Sequence, residues 1–177
     1  LNGGSAAEAY AQIGNGGWDS HGNHQGAISI NQNGGGVAAG PFTGNISLNG
    51  GSLADTYAQI GNAGARAEGN SLGDITIGRA DGGISLVGGG ADNSYAQIGT
   101  GGFAAHGDHN STINITTTGT LKLEGGTSTD TYAQVGSGGG ETIGASTGGI
   151  TLNVGAIDMD GATGDRSYTH IGNGGFD

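Results

Sequence analysis

The chain has no cysteine, a single proline (Pro41), one tryptophan, three phenylalanines and four basic residues, Arg66, Arg79, Lys122 and Arg166. Each shortage excludes something. Without cysteine there is neither a disulfide framework nor a thiolate metal site, so the fold must hold by backbone pairing and packing. Fifteen acidic residues against four bases leave a formal charge of −11, which repels phosphate backbones and anionic lipid. Nucleic acid is therefore not an expected partner. No apolar run approaches the roughly 18 residues of a transmembrane helix, and no signal-peptide pattern opens the sequence. Membrane insertion is not expected, and any export signal is expected outside this segment. No window sustains an i, i+3, i+4, i+7 apolar pattern, which predicts almost no helix.

Glycine is what the chain has in excess, 44 residues of 177, against a usual share of about 7%. Collagen is excluded because the glycines lack a strict period of three. Recurring Ile-x-Ile and Ile-x-Leu triplets argue against simple disorder.

One phrase recurs five times: YAQIGNGG at Tyr10, YAQIGNAG at Tyr57, YAQIGTGG at Tyr95, YAQVGSGG at Tyr132 and YTHIGNGG at Tyr168. The offset from each of the first four tyrosines to the first Ile of the next triplet is constant: Tyr10 to Ile28, Tyr57 to Ile75, Tyr95 to Ile113 and Tyr132 to Ile150. Between them Gly22, Gly69, Gly107 and Gly144 fall in one column. A second triplet (Ile46-Ser47-Leu48, Ile84-Ser85-Leu86, Leu121-Lys122-Leu123, Ile157-Asp158-Met159) precedes each of the last four tyrosines, again at a constant offset. Repetition at fixed spacing is the mark of a stacked architecture.

Three short period-2 segments per repeat, separated by glycine-rich turns, read as brief strands with one face buried. The expected fold is all-β, a right-handed parallel β-helix (β-solenoid) over residues 1–177. Repeats fall near 1–48, 49–86, 87–123, 124–159 and a partial 160–177. The spacings predict coils of about 18–20 residues, two per repeat, with tyrosine strands alternating with first triplets on one face. The second triplets would then stack over Trp18-Asp19-Ser20 and its equivalents. Some nine coils at about 4.8 Å each would make a rod about 45 Å long. The first repeat carries extra residues around Pro41, expected as a protruding loop. The sequence starts and ends inside ordinary-looking repeats, so we expect a piece of a longer array or a subunit that associates end to end.

Alternation within the phrase places Ala11 and Ile13 inward and Tyr10 and Gln12 outward. The opposite parity would bury a glutamine in every repeat, at roughly 1–3 kcal/mol each if unpaired. Tyr10, Tyr57, Tyr95, Tyr132 and Tyr168 thus become an expected exposed binding column. With two coils per repeat its rows would be about 10 Å apart, too far for ring stacking.

The segments GNISLNGGSLADTYAQIGNAG, GGISLVGGGADNSYAQIGTGG and GTLKLEGGTSTDTYAQVGSGG resemble the glycine-rich repeats of filamentous-haemagglutinin-like large exoproteins, secreted by the two-partner route in Gram-negative bacteria. The resemblance covers nearly the whole chain and marks a stalk rather than an active module. It implies a secreted or surface-attached β-helical fibre in adhesion or biofilm matrix. Cell-surface or matrix polysaccharide is the partner that would imply.

Candidate chemistry is sparse. SHGNH and AHGDH place His21, His24, His106 and His109 in matching columns, and a His-x-x-His loop could hold a divalent transition metal weakly. The competing reading is a set of polar residues on a solvated corner. On two coils per repeat the pairs lie about 19 Å apart and cannot share one ion. Asp158 to Asp165 gathers carboxylates that could bind calcium weakly, although it lacks the EF-hand spacing. No cofactor is required by any motif. Trp18 and Phe103 share a column, as sugar platforms or, because that column meets Ile, as core filling. No acid column repeats in the stack, so no catalytic residue is assigned and a non-enzyme is expected. The reading is a structural rod of a bacterial surface adhesin or matrix protein. A carbohydrate-binding or carbohydrate-active β-helix is the alternative.

Overall fold

The computed structural model describes residues 1–31 and 43–176. The expected loop around Pro41 lies outside the described residues. Those residues form an all-β solenoid with no helix, and hence none long and apolar enough to cross a membrane.

Three parallel sheets run along the stack. The phrase supplies β1 (Tyr10–Ile13), β5 (Tyr57–Ile60), β9 (Tyr95–Ile98), β12 (Tyr132–Val135) and β15 (Tyr168–Ile171), paired in that order. Two-residue strands form a second sheet: β2 (His24–Gln25), β6 (Ser71–Leu72), β10 (His109–Asn110) and β13 (Ser146–Thr147). The triplets form the third. In the first two rows they are separate strands, β3 (Ile28–Ile30) with β4 (Ile46–Asn49), and β7 (Ile75–Ile77) with β8 (Ile84–Val87). In the next two they merge into single strands, β11 (Ile113–Glu124) and β14 (Ile150–Asp160). The β11–β14 pairing shifts register between Thr117 and Thr120, where the earlier rows break between their two triplets.

The register corrects the expected coil. Tyr10 pairs with Tyr57, Tyr57 with Tyr95, Tyr95 with Tyr132 and Tyr132 with Tyr168. First triplets pair with first triplets, as Ile28, Ile75, Ile113 and Ile150 do, and second with second, as Ile46, Ile84, Leu121 and Ile157 do. One repeat is therefore one long coil rather than the two short coils expected, and tyrosine strands do not alternate with first triplets. Nor do second triplets stack on Trp18-Asp19-Ser20. The five tyrosine rows span about 19 Å along the axis at the usual strand spacing, not the roughly 45 Å of nine coils.

The segment from tyrosine to first triplet is not a coil of its own because it does not cross to the triplet wall until it ends there. It folds instead over the far face of the tyrosine strand, forming a lobe edged by the two-residue strands. The tyrosine sheet thus divides two interiors. On one side Ala58, Ile60, Ala96, Ile98, Ala133 and Val135 pack against Ile75, Ile77, Leu86, Ile113 and Leu123. On the other, Tyr57, Tyr95 and Tyr132 pack with Ala65 and Phe103. Within the triplets the middle residues Ser29, Thr76, Asn114 and Thr151 are the more open ones, as alternation requires.

Candidate functional site

The expected binding column is not on the surface. Tyr57, Tyr95 and Tyr132 are fully buried, Tyr168 is half-buried, and only Tyr10 in the first row is open. The alternation itself holds, since Ala and Ile face the triplet core and Tyr and Gln the opposite side. That opposite side is covered by the lobe rather than by water. The five rings stack face to face with centroids 4.8–4.9 Å apart and planes within 4°. Direct pairing of tyrosine strands sets this distance. Burial pushes the phenols of Tyr95 and Tyr132 well above their usual pKa, with the neighbouring tyrosines adding to the effect.

The glutamines lie on this covered side too, and each amide nitrogen is paired. Gln59 Nε2 donates to the carbonyls of Gly99 (2.9 Å) and Gly101 (2.6 Å) in the next coil. Gln134 does the same to Gly172 (3.1 Å) and Gly174 (2.8 Å). Gln97 reaches Gly136 and Gly138, and Gln12 reaches Gly61 and Ala63. The amide oxygens of Gln59 and Gln134 accept from the hydroxyls of Tyr95 and Tyr168. The predicted penalty for a buried glutamine is reduced because the next coil's corner supplies acceptors for every amide nitrogen, while the amide oxygens of Gln12 and Gln97 find no partner. That corner bends at Gly16, Ala63, Gly101, Gly138 and Gly174, all with positive φ, which explains glycine in four of the five.

Trp18 and Phe103 belong to the column Trp18, Ala65, Phe103, Gly140, Phe176. Phe103 is buried in the tyrosine core and Trp18 packs against the same cluster. A Cβ on Gly140 would lie 2.9 Å from the Phe176 ring and 3.3 Å from that of Phe103. The Phe103 and Phe176 rings thus lean over Gly140 from the rows on either side and leave no space for a side chain there. Of the two readings of Trp18 and Phe103, core filling is the one this packing supports. Arg66 lies over Trp18 and Arg166 over Phe176, at 5.5 and 5.0 Å from the ring centroids.

The four histidines separate into two columns. His21 and His106 are exposed, each paired in register with Glu68, and His21 Nε2 lies 3.5 Å from the Glu68 carboxylate. His24 and His109 are buried in the column His24, Ser71, His109, Ser146. Equivalent histidines are two rows apart, about 10 Å rather than about 19 Å. No group of three or more His, Asp or Glu placed to hold a metal ion occurs among the described residues. The His-x-x-His loop therefore divides: one ring points out, the other in, and the solvated-corner reading fails for His24 and His109. Serine in alternate rows of that column was the available signal for a crowded interior position. Asp158 and Asp160 end β14 on the surface, with Asp160 3.7 Å from Lys122 Nζ.

A groove of about 420 Å³ crosses three rows of the triplet sheet, lined by Asn45, Ser47, Ser85, Thr120 and Lys122 with intervening glycines. Burial of the tyrosine column leaves this polar face among the open features able to meet a partner.

Compared with known proteins, the chain matches no family model, no curated protein and no solved structure.

Proposed function

We propose that the chain is a non-catalytic structural rod element of a bacterial surface adhesin or extracellular matrix protein, acting outside the cell. The observation that supports this best is the in-register stack of five tyrosines at 4.8–4.9 Å. Such a stack, flanked by a glutamine ladder, couples each coil to the next through ring faces, amides and backbone at once. That arrangement resists bending, as a solenoid built for stiffness requires. The resemblance to filamentous-haemagglutinin-like repeats points the same way, and longer arrays or end-to-end association extend the same stack. Force spectroscopy on a tandem array of this segment is the test. A stiff response with coil-by-coil rupture supports the reading, and a soft, freely extending chain overturns it.

A carbohydrate-binding role has one observation in its favour, the hydroxyl-lined groove across Ser47 and Ser85. Glycan-array binding that is abolished by Ser85→Trp would establish it. Unchanged binding in that variant, or no binding, would remove it.

A further inference from the structure

The column of His24, Ser71, His109 and Ser146 lies inside the lobe that covers the tyrosine ladder. His109 is fully buried. Its Nδ1 lies 3.3 Å from Ser71 Oγ, and its Nε2 finds no hydrogen-bond partner. The ring abuts Gly101, where a Cβ would come within 3.1 Å of Cγ and Nδ1. His24 is buried in the same way two rows away, with Nε2 3.2 Å from Ser20 Oγ. A neutral imidazole fits this site, whereas an imidazolium brings a second N–H and a buried charge that the Ala105 backbone and the Ser71 hydroxyl compensate only in part.

We propose that this lobe is an acid-labile cover: protonation of the buried His109 imidazole opens it and uncovers the tyrosine ladder, and the neutral ring keeps it shut. The inference does not depend on the rod reading. The groups facing His109 from neighbouring elements are Ser71 of β6, Ser146 of β13 and Gly101 of the tyrosine-strand corner, none of them charged. On its own segment stand Asp108, which favours the charged ring, and His106, which opposes it. Burial is the largest influence. It outweighs Asp108 and the nearby Ala105 backbone and holds the His109 pKa below its usual value. A histidine with a depressed folded pKa contributes its full stability above the unfolded value of about 6.5, and that contribution declines as pH falls from there toward the folded value. General charge works in the opposite direction, because acid reduces the −11 and its self-repulsion. Opening in mild acid is thus a signature that bulk charge does not produce.

The test is amide-exchange protection of residues 61–74 and 99–112 in the intact chain from about pH 7.5 to about pH 5. Wild-type protection factors should fall as pH drops below about 6.5, with about tenfold per pH unit as the upper limit for one histidine. The double variant His24→Ser, His109→Ser places in those rows the residue that Ser71 and Ser146 already supply, and its protection should not depend on pH. The surface pair His21→Ser, His106→Ser should keep the wild-type slope. If the serine variant does not fold, His109→Asn, which fills more of the site without titrating, carries the same expectation. Wild-type protection that stays constant down to about pH 5, or a non-titrating variant that keeps the wild-type slope, overturns the proposal.

Discussion

The hydroxyl of Tyr95 rests against the backbone of Gly102, so closely that a Cβ on Gly102 would lie 2.4 Å from Tyr95 Oη. The relation repeats for Tyr10 and Gly17, Tyr57 and Gly64, Tyr132 and Gly139, and Tyr168 and Gly175, at 2.4–2.6 Å. It ties the first residue of the recurring phrase to its last glycine.

Gly102→Ala should therefore destabilise the chain by about 1–3 kcal/mol or more, since overpacking in a close-packed interior has few ways to relax. The same Cβ would also lie 2.7 Å from the Gly64 carbonyl carbon, so adding Tyr95→Phe should recover only part of the loss. Gly90→Ala is the control, with no atom within 4 Å of the new methyl. Denaturant midpoints should be low for the first variant, intermediate for the double variant and near wild type for the control.

Gln97 offers a test with a pH handle. Gln97→Glu replaces an amide that donates to Gly136 and Gly138 with a carboxylate that repels both carbonyls. Burial raises the pKa of such a carboxyl above the unfolded value of about 4.3. Stability of the variant should then fall as pH rises through that value, because the folded state holds the proton longer. Relative to wild type, the variant should lose more at about pH 7 than at about pH 4 in urea melts. An equal loss at both would show that the Gln97 side chain is not aimed at the carbonyls.

Alkaline titration reads the tyrosine ladder directly. The buried phenols of Tyr95 and Tyr132 have raised pKa values, mainly from desolvation. Their contribution to stability is complete below about pH 10, where unfolded tyrosine begins to ionise, and is lost as pH rises further. Absorbance near the phenolate band should show these tyrosines ionising only together with the loss of β-sheet circular dichroism. Ionisation of all five before unfolding would contradict their burial.

Ile113 is fully buried in the middle of the first-triplet column, between Ile75 and Ile150. Ile113→Val should cost about 0.5–1.5 kcal/mol. Ile113→Asp should cost far more, because a carboxylate there has no partner. Thermal melts of the two variants measure the difference, and similar Tm values would place Ile113 outside the core.

Much of the fold was legible in the repeats. The constant offset from Tyr to Ile located a single internal isoleucine column. The aligned glycines stack as well: a Cβ added to Gly69, Gly107 or Gly144 would meet the carbonyl oxygen of Gly22, Gly69 or Gly107 in the preceding row at 2.1–2.5 Å. The coil length was misread because half a repeat is also a plausible solenoid turn. Near-identical phrases one whole repeat apart carried the correction, since in-register stacking favours like on like. The separation of the histidines was hidden for a related reason, because each short loop leaves one ring exposed, His21 or His106, and buries the other, His24 or His109.

What the sequence determined by itself was the length of the repeat, the parity of each strand and the absence of helix among the described residues, all consequences of local spacing and glycine content. Only the tertiary structure decided what covers the second face of the tyrosine strand. Alternation says that Tyr and Gln point away from Ala and Ile, and nothing local says whether water or protein lies there. The lobe settles it. Its Gly99 and Gly101 carbonyls satisfy the Gln59 amide, and its Gly102 leaves room for the Tyr95 hydroxyl. Those partners come from the neighbouring coil or from beyond the next corner. The energy of a buried polar group is set by such non-local contacts, so the same eight residues read as a surface in isolation and as a core once stacked.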